Sequence, residues 1–98
     1  MHIMIQRRVV RSLQIIYSIT AVKAIAGFNR EVKQRIKHGI EGLLEVPPQG
    51  DIKQLQVSNS RIYRLRIGKY RVLYEYANTD EEQVLMIKDI GSRGDIYK

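Results

Sequence analysis

Apolar positions along the chain keep two different periods, one in each half. Residues 13–17 (LQIIY) are bulky and β-branched and stop at Ser18, which predicts a strand. Ser18 is placed to cap a helix that carries Ala21, Val22, Ile25 and Phe28 on one face. Gly27 lies near the end of that helix, and Asn29 is the candidate cap of the next. Val32, Ile36, Ile40 and Leu43 then recur at steps of four, four and three, which makes one apolar stripe. Lys33, Arg35, Lys37 and His38 fall largely off the stripe and should face water. Pro47, Pro48 and Gly50 end the second helix. With almost no linker between them, the two helices should form a hairpin.

The second half changes to a period of two. Residues 62–67 and 70–76 alternate around Gly68-Lys69, and a two-residue loop with glycine first suits a type II′ hairpin. A polar turn at 78–82 leads to a third strand of the meander at 84–90, which Gly91-Ser92 breaks before the tail 93–98. The order predicts an α+β domain: an antiparallel sheet of about four strands with the N-terminal helical hairpin packed on one face. Residues 1–98 read as one domain. Residues 1–12 fit the plan least, either prolonging the first strand or standing as a basic N-terminal extension.

The hairpin register decides which side chains share a face. With Gly68 and Lys69 in the loop, Ile67 faces Tyr70, Arg66 faces Arg71, Leu65 faces Val72 and Arg64 faces Leu73. Tyr63, Leu65, Ile67, Tyr70, Val72 and Tyr74 then line one face, suited to lie under the helices. Arg64, Arg66 and Arg71 gather on the other. Between Asp51 and Glu75 the chain has six basic residues (Lys53, Arg61, Arg64, Arg66, Lys69 and Arg71) and no acidic one. Like charges opposite each other destabilise a sheet, so such a cluster is either an ordinary solvated surface or a seat for a polyanion. Three arginines on one face favour the second, because the guanidinium fork matches phosphate oxygens.

Charge across the whole chain agrees. Seventeen Lys and Arg against ten Asp and Glu leave +7 on 98 residues, which makes polyanions natural partners. The absence of cysteine excludes a disulfide framework and thiol chemistry. His2 and His38 as the only histidines argue against a zinc site, and no cofactor motif is present. No apolar run is long enough to span a bilayer. Arg7, Arg8 and Arg11 ahead of 13–22 imitate a signal peptide, but Gln14, Tyr17, Ser18 and Thr20 interrupt the run and Lys23 closes it. The expectation is a cytoplasmic protein.

The stretch 46–98, with VPPQGDIKQLQ, then YRLRIGKYRVLYEY, then VLMIKDIGSRGDIYK, resembles the RelE toxins of the RelE/ParE superfamily. The preceding IIYSITAVKAIAGFNREVKQRIKHGIEGLL is similar to that family's first strand and helical hairpin, so the resemblance runs from about Leu13 to the C-terminus. It implies the RelE-like fold and a toxin of a type II toxin–antitoxin system, an endoribonuclease that cuts mRNA in the ribosomal A site and is silenced by a cognate antitoxin. The family's active face uses basic residues on the hairpin strands, an arginine after the last strand and a tyrosine near the C-terminus. By position these become Arg64 and Arg66, then Arg71 within Lys69-Tyr70-Arg71, Arg93 within Gly91-Ser92-Arg93, and Tyr97. The family's first-strand pair is often lysine, and a further basic residue common before the hairpin is Gln56 here.

RNA can be cut by its own 2′-hydroxyl attacking the adjacent phosphorus. That reaction needs a base for the 2′-hydroxyl, an acid for the 5′-oxygen and positive charge for the phosphorane. Tyr97 is the candidate base, because nearby arginines favour phenolate. Arg93 is the candidate acid or leaving-group neutraliser, the second favoured because a guanidinium is a poor acid, while Arg64 and Arg66 would hold the scissile phosphate and Arg71 would stabilise its developing charge. Lys53, Arg61 and Lys69 are candidate RNA-backbone contacts. Without the resemblance, Tyr97 would read as a packed or frayed terminal side chain. Two other functions compete: a ParE-like inhibitor of DNA gyrase, against which Arg93 with Tyr97 argues, and a non-catalytic RNA-binding domain.

Overall fold

A computed structural model describes residues 9–10, 13–56, 61–78 and 82–92. The first strand of the main sheet, β2 (Gln14–Tyr17), follows the two-residue β1 (Val9–Val10) and turns at Ser18 into α1 (Ile19–Ala26). Ser18 is extended (φ −67°, ψ 162°), and its hydroxyl accepts from the Ala21 amide at 3.0 Å while donating to the Lys88 carbonyl at 2.6 Å. One side chain therefore caps the helix and ties its start to the far end of the chain. Asn29 repeats the first half of that device for α2 (Arg30–Gly42), accepting from the Val32 amide at 2.9 Å.

Beyond α2 come β3 (Glu45–Val46), β4 (Asp51–Gln54), β5 (Tyr63–Ile67), β6 (Tyr70–Asn78) and β7 (Gln83–Ser92). The main sheet has the order β2-β7-β6-β5-β4, and β1 pairs separately with β3. The expected α+β class holds, with two differences from the sequence reading. A fifth strand, β4, joins the edge beside β5, and β2 runs parallel to β7. β4 reads Asp-Ile-Lys-Gln, with one apolar residue in four, because as an edge strand it has little to bury. The parallel pair follows from the helices: they carry the chain across the sheet before it returns, so β2 meets β7 and not its sequence neighbour.

Both helices sit on the same face. Ala21, Ile36, Ile40 and Leu43 pack on Leu65, Tyr70, Val72, Tyr74, Leu85, Ile87 and Ile90 in one core. At the C-cap of α2 the Tyr76 hydroxyl donates to the Leu43 carbonyl at 2.7 Å, occupying an acceptor that the helix itself leaves open. The stripe expected on α2 is present, but the one expected on α1 is rotated. Ala21 is buried, Ile25 and Phe28 are partly buried, and Val22 is 53% exposed. Because α1 reads ITAVKAIA, apolar residues surround nearly the whole helix, and periodicity cannot select the inner face.

Candidate functional site

The turn between β5 and β6 sets the geometry of the sheet face away from the helices. Gly68 has φ +59°, a conformation that costs a side-chain-bearing residue energy and that a glycine-first hairpin loop supplies freely. The resulting pairs are Ile67 with Tyr70, Arg66 with Arg71, Leu65 with Val72, Arg64 with Leu73 and Tyr63 with Tyr74, as the alternation predicts. Arg64, Arg66 and Arg71 therefore stand together away from the helices.

Their exposure is uneven. The Arg64 side chain is only 15% exposed against 51% for Arg66. The Nε of Arg64 and an Nη of Arg71 are buried with no hydrogen-bond partner among the described residues. Asp51 stands opposite Arg66 across β4 and β5. One carboxylate oxygen of Asp51 accepts from Arg64 Nη2 at 3.1 Å and the other from Arg66 Nε at 2.6 Å. Arg66 thus lies between a carboxylate on one neighbouring strand and a guanidinium, Arg71, on the other.

The remaining candidate residues are spread around this centre. Lys53 is exposed opposite Arg64, and Arg61 is exposed just ahead of β5. Lys69 sits in the hairpin loop with its Nζ 5.5 Å from the centre of the Tyr70 ring. Toward the other edge, a register shift between Leu73 and Tyr74 leaves Lys88 as the extra residue of β7, and Lys88 Nζ bridges to Glu75 at 3.1 Å. Gly91 pairs with Arg71 and Ser92 with Tyr70, where the described chain ends. Arg93 and Tyr97, the proposed leaving-group partner and base, lie outside the described residues.

The described tyrosines of the hairpin belong to the other face. Tyr63 stacks on Tyr74, and Tyr76 meets both edge-on. Burial, followed by the neighbouring Tyr76 and Tyr63 phenols, pushes Tyr74 above the ordinary tyrosine range, which holds it neutral and unsuited to act as a base. Tyr17 is also raised, by burial and then by Glu41.

Asp51 is the residue that the sequence reading missed. It was noted only as the limit of the basic run, but the alternation Asp51-Ile52-Lys53 already places it on the arginine face if residues 51–54 are a strand.

A profile of the ParE toxin of the type II toxin–antitoxin system parDE matches residues 3–97, nearly the whole chain. The chain belongs to the RelE/ParE superfamily of type II toxins. No curated protein sequence matches it significantly. Solved structures similar to it include the archaeal RelE–RelB complex from Pyrococcus horikoshii, at a TM-score of 0.65 and 24% identity, with 86% of this chain and 98% of that chain covered. The RelB–RelE antitoxin–toxin complex from Methanococcus jannaschii matches at 0.64 and 26% identity, covering 84% and 94%. A RelBE toxin–antitoxin complex of Mycobacterium tuberculosis matches at 0.64 and 21% identity, covering 83% and 98%. Among the described residues no helix is long and apolar enough to cross a membrane.

Proposed function

We propose that this toxin acts in the cytoplasm as a ribosome-dependent mRNA endonuclease, and that the arginine face of the β5–β6 hairpin binds the scissile phosphate. The observation that carries the reading is the grouping of Arg64, Arg66 and Arg71 on one sheet face, where Asp51 bridges the first two. Like charges held this close across a sheet are unfavourable unless an anion is bound there for part of the working cycle. The 2′-hydroxyl attacks phosphorus, the bond to the 5′-oxygen breaks, and the products are a 2′,3′-cyclic phosphate and a 5′-hydroxyl. Arg64 and Arg66 hold the phosphate, Arg71 stabilises the phosphorane, Tyr97 takes the 2′-proton, and Arg93 neutralises the departing oxygen, which takes its proton from water. Lys53, Arg61 and Lys69 follow the RNA backbone. Guanidinium charge fills the role a cation would otherwise fill, so cleavage should survive EDTA.

The partner of this reading is a cognate antitoxin. Tyr17, Val22, Ile25, Ile36 and Ile40 line an apolar groove of about 350 Å³ between the helices, with Lys33 and Lys37 at its rim. An acidic, amphipathic segment of the antitoxin fits that surface by charge and polarity. That three similar solved structures are toxin–antitoxin complexes supports the assignment.

The family profile, named for ParE, favours gyrase inhibition as a second reading. Incubating the chain with programmed ribosomes, and separately with gyrase and supercoiled DNA, separates the two. Fragments ending in a cyclic or 3′-phosphate support the first reading. Gyrase-dependent DNA breaks with intact mRNA would replace it with the second. Binding of RNA with neither outcome would leave a non-catalytic RNA-binding domain.

A further inference from the structure

Asp51 places both of its carboxylate oxygens on the two arginines of β5, at 3.1 Å from Arg64 Nη2 and 2.6 Å from Arg66 Nε. A phosphodiester also presents two oxygens that share one negative charge, and it would seek the same donors. The contact spans neighbouring strands and is fixed by the β4–β5 register, so it is built into the sheet. Gly50, with φ +130°, introduces Asp51 by a backbone conformation that side-chain-bearing residues rarely adopt.

The two halves of the contact differ. Arg64 is 15% exposed and Arg66 is 51% exposed, while Asp51 is 44% exposed. Water and an incoming anion therefore reach the Arg66 side of the bridge far more readily than the Arg64 side. The buried Nε of Arg64 and Nη of Arg71, which have no partner among the described residues, lie in the same cluster.

We propose that Asp51 is a positioning residue of the anion site: in the free toxin it holds Arg64 and Arg66 side by side, and RNA phosphate displaces it from Arg66 while Arg64 stays anchored. The inference rests on the RNA-cleavage reading above. The carboxylate opposes ground-state binding through its charge, yet it keeps the guanidiniums from splaying apart under their own repulsion. Removing the charge alone should thus tighten RNA binding and slow the chemical step, a combination that loss of a merely structural ion pair does not produce.

The test compares wild type, Asp51→Asn and Asp51→Glu in two assays. In the first, a fluorescent twelve-nucleotide single-stranded RNA is titrated at several salt concentrations. Asp51→Asn should bind about three- to tenfold tighter at low salt, the effect of removing one negative charge about 5 Å from a phosphate at the water interface, and the gain should shrink as salt screens it. In the second, single-turnover cleavage on programmed ribosomes at saturating toxin should slow by about tenfold, as expected for a misplaced charge-stabilising group. Asp51→Glu keeps the charge and should return affinity close to wild type, which keeps the comparison informative if Asn loosens the sheet. Unchanged or weaker binding by Asp51→Asn would overturn the counterion role. Tighter binding with an unchanged cleavage rate would overturn the positioning role. A wild-type toxin that binds the RNA but never cuts would refute the cleavage reading, and with it the positioning role, while the binding assay alone would decide the counterion role. A wild type that binds no RNA sinks both.

Discussion

Arg66 and Arg71 stand directly opposite each other across β5 and β6, like charges in a position where opposite charges would stabilise the sheet. The carboxylate of Asp51 relieves Arg66 from the other side, but nothing among the described residues hydrogen-bonds the buried Nη of Arg71. Arg71→Ala should therefore leave stability unchanged or raise it by about 0.5 kcal/mol. The same substitution should lower single-turnover mRNA cleavage by about a hundredfold through loss of charge stabilisation. A urea melt and a rapid-quench time course check the two halves. Cleavage at the wild-type rate would remove Arg71 from the site.

Tyr97→Phe removes the hydroxyl of the tyrosine proposed as the base and little else. Cleavage should fall by about a hundredfold or more while ribosome affinity stays nearly unchanged. Single-turnover rates and ribosome co-sedimentation measure these separately. If the variant cuts as fast as wild type, the base lies elsewhere on the basic face.

Tyr74 and Tyr17 give stability a dependence on alkaline pH. Both phenols have folded-state pKa values raised above the ordinary value of 10.0. The folded chain therefore keeps these protons after the unfolded chain has lost them. Their contribution is fully present below about pH 10 and is lost as pH rises beyond it, toward the raised folded values. Denaturant midpoints between pH 8 and 11 should fall steeply at the alkaline end, and Tyr74→Phe should flatten that fall. An equally steep decline in the variant would assign the effect to other groups.

Ser18→Ala removes the cap on the Ala21 amide and the donor to the Lys88 carbonyl in one change. The expected loss is about 1–2 kcal/mol, read as a lower urea midpoint with an unchanged slope. Because the Lys88 bond joins α1 to β7, hydrogen exchange should quicken in both elements. Faster exchange in α1 alone would show that the long-range bond contributes little.

Val22 lines the interhelical groove and is exposed, on the face of the sheet opposite the arginines. Val22→Asp introduces a charge that would repel an acidic antitoxin segment and sit badly in an apolar groove. Co-expression should show weakened neutralisation by the antitoxin, while the purified toxin cuts mRNA at the wild-type rate. Full neutralisation would move the antitoxin to another surface.

Periodicity by itself determined most of the elements and one decisive register. Gly68-Lys69 permits a tight turn, and side chains in strands alternate strictly, so placing that loop assigns Arg64, Arg66 and Arg71 to one face without any tertiary information. The caps Ser18 and Asn29 were legible for the same reason, since each acts on a backbone amide three residues away. Tertiary structure alone decided what depends on residues distant in sequence. It selected the inner face of α1, where composition is apolar nearly all round, and it put β2 parallel to β7 across about seventy residues of chain. It also brought β4 to the edge of β5. That strand has little apolar content because an edge needs little, so it carries no periodic signal, yet its register sets Asp51 between Arg64 and Arg66. The charge that answers the arginine cluster is therefore supplied by a neighbour that only the folded sheet creates.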